Sequence, residues 1–179
     1  MLFDTQEKII TVGNESIGKV ELKSLRYITF EESEWTENYL KKLEPLIEKV
    51  NNYCNNASRK LKLPEGDILD SFYYNTTNSK EIRKKLIELD KEELKEIIKI
   101  VQKITDINSV INMYMILLFR TSPEIKTEIE KFQPTDLLVN GKVLTSALLI
   151  QIKDFYEAEF EGIAYIPKED ENKSENFTS

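Results

Sequence analysis

Residues 110–119, VINMYMILLF, are apolar on nearly every side. A helix of that kind has no face to give to water, so it belongs at the centre of a core with amphipathic elements around it. This predicts a mainly α protein, a compact multi-helix domain, because a buried helix has to be wrapped by other elements. At 179 residues with 40% hydrophobic content, the chain can supply that cover, and its length fits one domain. Asn112 and Tyr114 interrupt the run, which is far shorter than the ~20 apolar residues of a membrane helix. It reads as core, and no membrane partner is expected.

The elements that provide the cover can be read on either side. Residues 8–12 are short and β-branched, residues 13–18 are polar with glycine at both ends, and Val20 and Leu22 then alternate with Glu21 and Lys23. This predicts a small N-terminal β-hairpin within residues 1–28. An isolated hairpin is marginal in water, so Ile10, Val12, Val20 and Leu22 must be covered by this chain's helices or by another chain.

Thr29-Phe30-Glu31-Glu32 carries the Thr-x-x-Glu pattern that starts a helix, with Glu34 and Glu37 following in the first turns. Trp35, Tyr39, Leu43, Leu46, Ile47, Val50 and Cys54 recur at steps of three or four, which predicts one apolar face, kinked or briefly broken near Pro45. Residues 61–70 contain Pro64 and Gly66 and read as a connection, and Phe72, Tyr73 and Tyr74 as core plugs. Ser79 is placed to cap a helix over 80–89, and Asp90 with Glu93 to start another, with Leu94, Ile97, Ile98, Val101 and Ile104 as its seam. Ser109 would open the greasy helix, and Ser122-Pro123-Glu124 the next one. Asn140-Gly141 between residues 137–139 and 142–144 suggests a second tiny hairpin. Residues 145–160 give a last amphipathic helix stopped by Gly162. The helical body thus spans 29–162 in the same domain as the hairpin. Residues 163–179, polar and acidic towards the end, are expected to form a flexible tail.

The chemistry is sparse. The chain has no histidine, which removes the commonest general base, the usual zinc ligand and every Ser-His or Cys-His arrangement. Its five glycines are scattered, so no phosphate-cradling loop is present. Glu31, Glu32 and Glu34, and the pair Asp67 and Asp70, are the compact carboxylate sets, and read as helix N-terminal charges and connection residues respectively. Glu93-Leu94-Lys95 resembles a nuclease Glu-x-Lys element but falls in a helix rather than on a strand. Cys54, the only cysteine, sits on the apolar face and reads as a core residue in a reduced setting. No catalytic residue, cofactor or metal is therefore expected. The opening MLFDTQEKIITV lacks the long apolar segment of a secretory signal, so a cytoplasmic protein is expected, and the Asn-x-Ser/Thr triplets carry no glycosylation meaning there.

A net charge of −7, with no basic run interleaved with aromatics, gives no footprint for nucleic-acid phosphates. The expected partners are proteins. The run VELKSLRYITFEE, a short β element leading into a Thr-x-x-Glu helix start ahead of a compact acidic helical domain, resembles the tail assembly chaperones of tailed phages and related contractile particles. The resemblance covers residues 18–40 and overall size. It implies a non-enzymatic assembly chaperone or adaptor whose protein client is a tail-tube or tape-measure protein, and it transfers no site residue. On that reading Val20, Leu22, Trp35 and Tyr39 are the candidate protein-binding residues. The alternative is an acidic inhibitor that mimics nucleic acid and blocks a host defence or nucleic-acid-binding protein.

Overall fold

The computed structural model describes residues 8–167. Among them the protein is mainly helical, with seven α-helices behind a two-stranded antiparallel N-terminal sheet. The part of the expected tail from residue 168 onward lies outside the described residues.

The sheet pairs β1 (Lys8–Asn14) with β2 (Gly18–Ser24), Val12 standing opposite Val20 and Ile10 opposite Leu22. Alternation places Val12, Val20 and Leu22 on one face, where they are 0%, 7% and 0% exposed. The cover that the hairpin needs comes from this chain. In the turn, Asn14 Oδ1 accepts from the backbone N–H groups of Ser16 and Ile17 at 2.9 and 3.1 Å. Gly13 adopts φ +90°, and a Cβ there would fall on the Gly18 carbonyl oxygen and come 2.6 Å from Leu148 Cδ1. Gly13→Ala is expected to cost more than the roughly 1–2 kcal/mol of the left-handed conformation alone. Gly141→Ala is the control, with φ +77° and nothing within 4 Å, and its urea midpoint should fall distinctly less than that of Gly13→Ala.

The described residues gather into two compact units, one of residues 8–37 with 109–167 and the other of residues 38–108. In the first, the hairpin packs with the second part of α5 (Lys91–Arg120) and with α7 (Ser146–Glu161). Val110, Met115, Ile116 and Leu117 are 0–2% exposed, the central burial that the apolar run demands. The helix α1 (Phe30–Lys41) begins where the Thr-x-x-Glu pattern puts it: Thr29 N donates to Glu32 Oε2 at 2.8 Å, and Glu32 N donates to Thr29 Oγ1 at 3.2 Å. Proline opens α6 (Pro123–Ile129), and Thr145 caps α7 by accepting from Leu148 N. After Gly162 the chain remains anchored, because Tyr165 is buried and packs edge-on against Phe155 at 5.5 Å.

The second hairpin expected around Asn140-Gly141 does not form. Pro134 opens a 3-10 helix (Pro134–Leu138), which buries Leu137, and Gln133 N donates to Asp136 Oδ2. Gly141 N then bonds to the Leu144 carbonyl, an isolated turn with no strands to join.

The second unit contains α2 (Glu44–Leu61), α3 (Glu65–Tyr73), α4 (Thr77–Leu89) and the first part of α5. Pro45 coincides with a break between α1 and α2 rather than a kink, since proline suits a first turn. Residues 61–70 are not simply a connection. Pro64 precedes the helix, Glu65 and Asp67 charge its first turn, and Ile68 is fully buried. Only Phe72 of the aromatic trio reaches the core, against Tyr53 at 6.3 Å; Tyr73 and Tyr74 are exposed. Thr76, not Ser79, caps α4, three residues before the N–H it accepts from. Asp90 caps α5 through the N–H groups of Glu92 and Glu93. No helix starts at Ser109: Ile104, Ile107, Val110 and Ile111 continue the apolar spacing through the polar pair Asn108-Ser109, and α5 runs unbroken for 30 residues. Ile98, expected in its seam, is 44% exposed.

Candidate protein-binding surface

At the end of α5, immediately after the apolar run, Arg120 is 2% exposed. Burying a guanidinium is costly unless each donor is met and the charge is opposed by carboxylates, and here both conditions hold. Nε and Nη2 form a fork on the Glu32 carboxylate, Nη2 at 2.7 Å. Nη1 donates to Glu159 Oε2 at 2.9 Å and to the Lys23 carbonyl at 3.2 Å, and Nη2 donates to the Tyr27 carbonyl at 2.8 Å. All five guanidinium N–H groups are thus matched by acceptors. Glu159 in turn accepts from Ser24 Oγ at 2.6 Å and from the N–H groups of Leu25 and Arg26 at 2.8 and 2.9 Å. Two carboxylates against one cation leave a buried excess of negative charge, which these N–H and hydroxyl donors offset.

Burial pushes the Glu32 carboxyl up, but the Arg120 and Thr29 hydrogen bonds outweigh it and hold the group below the ordinary glutamate value. For Arg120, burial pulls the guanidinium down, and the pairs with Glu32 and Glu159 more than reverse it. The network ties the end of β2, the β2–α1 loop, the first turn of α1 and the last turn of α7 to one side chain.

The four candidate residues are placed differently from one another. Val20 and Leu22 are core residues of the first unit, so neither side chain is presented to a partner. Trp35 is half-buried, its ring stacked on Tyr114 at 6.0 Å and edge-on to Phe119 at 6.2 Å. Tyr39, half-buried in the second unit, has the Lys42 ammonium 5.1 Å from its ring centre. Trp35 and the face of Val50 and Cys54 belong to separate hydrophobic clusters, so the apolar spacing across Pro45 does not form one face.

The exposed apolar side chains lie elsewhere. In the first unit Tyr27 and Phe30 are 50% and 81% exposed, and Phe160, Ile163 and Ile166 are 70%, 53% and 81% exposed. The segments that bear them meet at the Arg120 network: Tyr27 supplies a carbonyl to Arg120, and Glu159, the residue before Phe160, binds Leu25 and Arg26.

Neither Arg120 nor Glu159 stands out in the sequence. The usable signal is an arginine placed directly after a stretch that has to be buried, since such a cation needs buried carboxylates to meet it. Of the acids considered, Glu31 and Glu34 point to solvent as N-terminal charges, whereas Glu32 is buried. Asp67 and Asp70 are exposed on α3, and Glu93 is exposed on α5. Among the described residues no group of three or more His, Cys, Asp or Glu converges as a metal site, and no helix is long and apolar enough to cross a membrane. Cys54 is 1% exposed, and burial, followed by the nearby Glu65 charge, pushes its thiol up to about 11. It is an unreactive core group.

No family model, curated protein or solved structure matches this chain.

Proposed function

We propose that the protein is a non-enzymatic protein-binding chaperone or adaptor that covers apolar segments of a client before the client is assembled. The observation that carries this reading is the exposed apolar set Tyr27, Phe30, Phe160, Ile163 and Ile166, borne on two segments joined by a buried ionic network. Large apolar groups singly exposed are ordinary, but several on adjoining segments make a contact surface. Aromatic rings give such a surface much contact area at little entropic cost. The resemblance of residues 18–40 to tail assembly chaperones supplies the client class, a tail-tube or tape-measure protein.

The test is suppression of aggregation. A tail-tube or tape-measure protein diluted from denaturant should scatter less light with an equimolar amount of this protein, and the two should co-purify. Phe30→Ser with Phe160→Ser should abolish both effects while shifting the melting temperature by only a few degrees, because both rings are largely exposed. Undiminished scattering with the wild-type protein would refute the proposal.

A further inference from the structure

Within the second unit, α3, α4 and α5 line a groove of about 260 Å³. Ile98, Val101, Gln102 and Thr105 stand at i, i+3, i+4 and i+7 along α5, which puts them on one stripe. Phe72 and Tyr73 complete the apolar wall from α3. Val101 is buried and Phe72 half-buried, whereas Tyr73 and Ile98 are 49% and 44% exposed, so the wall runs from the core out to solvent. Two of the polar groups are already engaged inside α5. Thr105 Oγ1 donates to the Val101 carbonyl at 2.9 Å, and Gln102 Nε2 donates to Asp106 Oδ1 at 2.6 Å.

Arg83 of α4 differs. It is half-buried, and among the described residues it is the one charged group in the lining. Its Nη2 donates to Asn75 Oδ1 at 3.2 Å, and no carboxylate among the described residues pairs with it. One of its five N–H donors is thus matched, whereas all five of Arg120 are. A guanidinium with open donors beside apolar side chains is complementary to a carboxylate, whose two oxygens match its fork, carried on an apolar body. One cation balances one negative charge; a phosphate, with about 1.5–2 charges at neutral pH, would be left in excess.

The volume limits the apolar body. A dry cavity of about 150 Å³ holds benzene, so this groove takes one ring or two fused rings with a carboxylate rather than a long chain. The rings of Phe72 and Tyr73 favour an aromatic partner. All the lining residues lie within helices, and at these positions their N–H groups bond inside the helix. A peptide entering here would find no free N–H for its own carbonyl groups.

We propose that this groove binds a small aromatic carboxylate, its carboxylate on Arg83 and its ring against Phe72, Tyr73 and Ile98. The site lies in the second unit and is independent of the client surface, which belongs to the first.

The probe is 2-naphthoate, titrated into the full chain by isothermal titration calorimetry. Saturable binding with a dissociation constant of about 1 mM or below is expected. Arg83→Gln retains a donor for Asn75 but loses the charge and the fork, and should weaken binding at least tenfold. Ile98→Asp, which sets a carboxylate on the wall against the anion, should do the same. Arg83 is half-buried and Ile98 exposed, so both variants should melt within a few degrees of wild type, which separates lost binding from lost folding. Lys95→Gln, at a lysine paired with Glu92 outside the lining, should bind within twofold of wild type. Absence of saturable heat in the millimolar range, or binding within twofold of wild type in either Arg83→Gln or Ile98→Asp, would overturn the proposal. So would equal affinity for 2-naphthamide, which keeps the rings without the charge. Tighter binding of an N-acetylated peptide ending in a free phenylalanine carboxylate would assign the groove to a protein terminus and overturn it as well.

Discussion

Arg120→Met is expected to destabilise the protein by about 3–5 kcal/mol, a large share of the roughly 5–15 kcal/mol that typically holds a domain together. The side chain volume is nearly kept, so the loss comes from charge. Glu32 and Glu159, 1% and 0% exposed, would be left buried without their cation, and the Lys23 and Tyr27 carbonyls without a donor. Urea denaturation followed by circular dichroism measures the effect. Arg120→Lys should recover only part of the loss, because an ammonium retains the charge but cannot form the fork on Glu32 while reaching Glu159 and two carbonyls. The same network sets an acid limit. The Glu32 carboxyl titrates lower in the folded protein than in the unfolded chain, so its contribution is complete above the unfolded value of roughly 4.3. It is lost as the pH falls through the lower folded value. Wild-type stability should therefore decline below about pH 4.3, and Glu32→Gln should flatten that part of the profile. A midpoint for Arg120→Met within 1 kcal/mol of wild type would mean that the network contributes nothing net.

Leu117→Asp is expected to abolish folding of the unit that contains the hairpin. Leu117 is fully buried in the apolar half of α5. A carboxylate there loses the transfer free energy of the leucine and has to be neutralised or hydrated at a cost of several kcal/mol. The variant should lose much of its helical circular dichroism or be recovered insoluble. Leu117→Met, which nearly conserves volume, should cost less than about 1.5 kcal/mol. On the same helix Ile98→Asp, at a site 44% exposed, should stay within roughly 0.5 kcal/mol. If Leu117→Asp melted like Ile98→Asp, the central position of the apolar run would be wrong.

The contrast between these two positions marks what the sequence makes legible. Burial along residues 110–119 follows from composition alone, since a run without a polar side has no other place to go. The first strand pair, the Thr29–Glu32 helix start, the proline opening α6 and the stop at Gly162 are equally local, each decided by a few adjacent residues, and each forms as its pattern requires. What escapes local reading is set at a distance. Asn108-Ser109 looks like a helix start because both residues favour caps, yet packing of Ile107 and Val110 carries α5 straight through. Asn140-Gly141 accepts a hairpin turn, but Leu137 is drawn into the core by a 3-10 helix, and no strands remain to be joined. Val20 and Leu22 are apolar enough for an interface and for a core alike, and only the packing of α7 on the sheet assigns them to the core. The Arg120 network brings together residues 23 and 159 in sequence number, and no spacing rule links those positions.

Cys54 gives the molecule a practical property. As the only thiol in the chain, shielded from solvent and far from its ionised form at neutral pH, it is a silent background for sulfur chemistry. A cysteine introduced at an exposed site can be labelled selectively in the native protein. Any slow modification of Cys54 itself then acts as a clock for transient opening of the helices that enclose it.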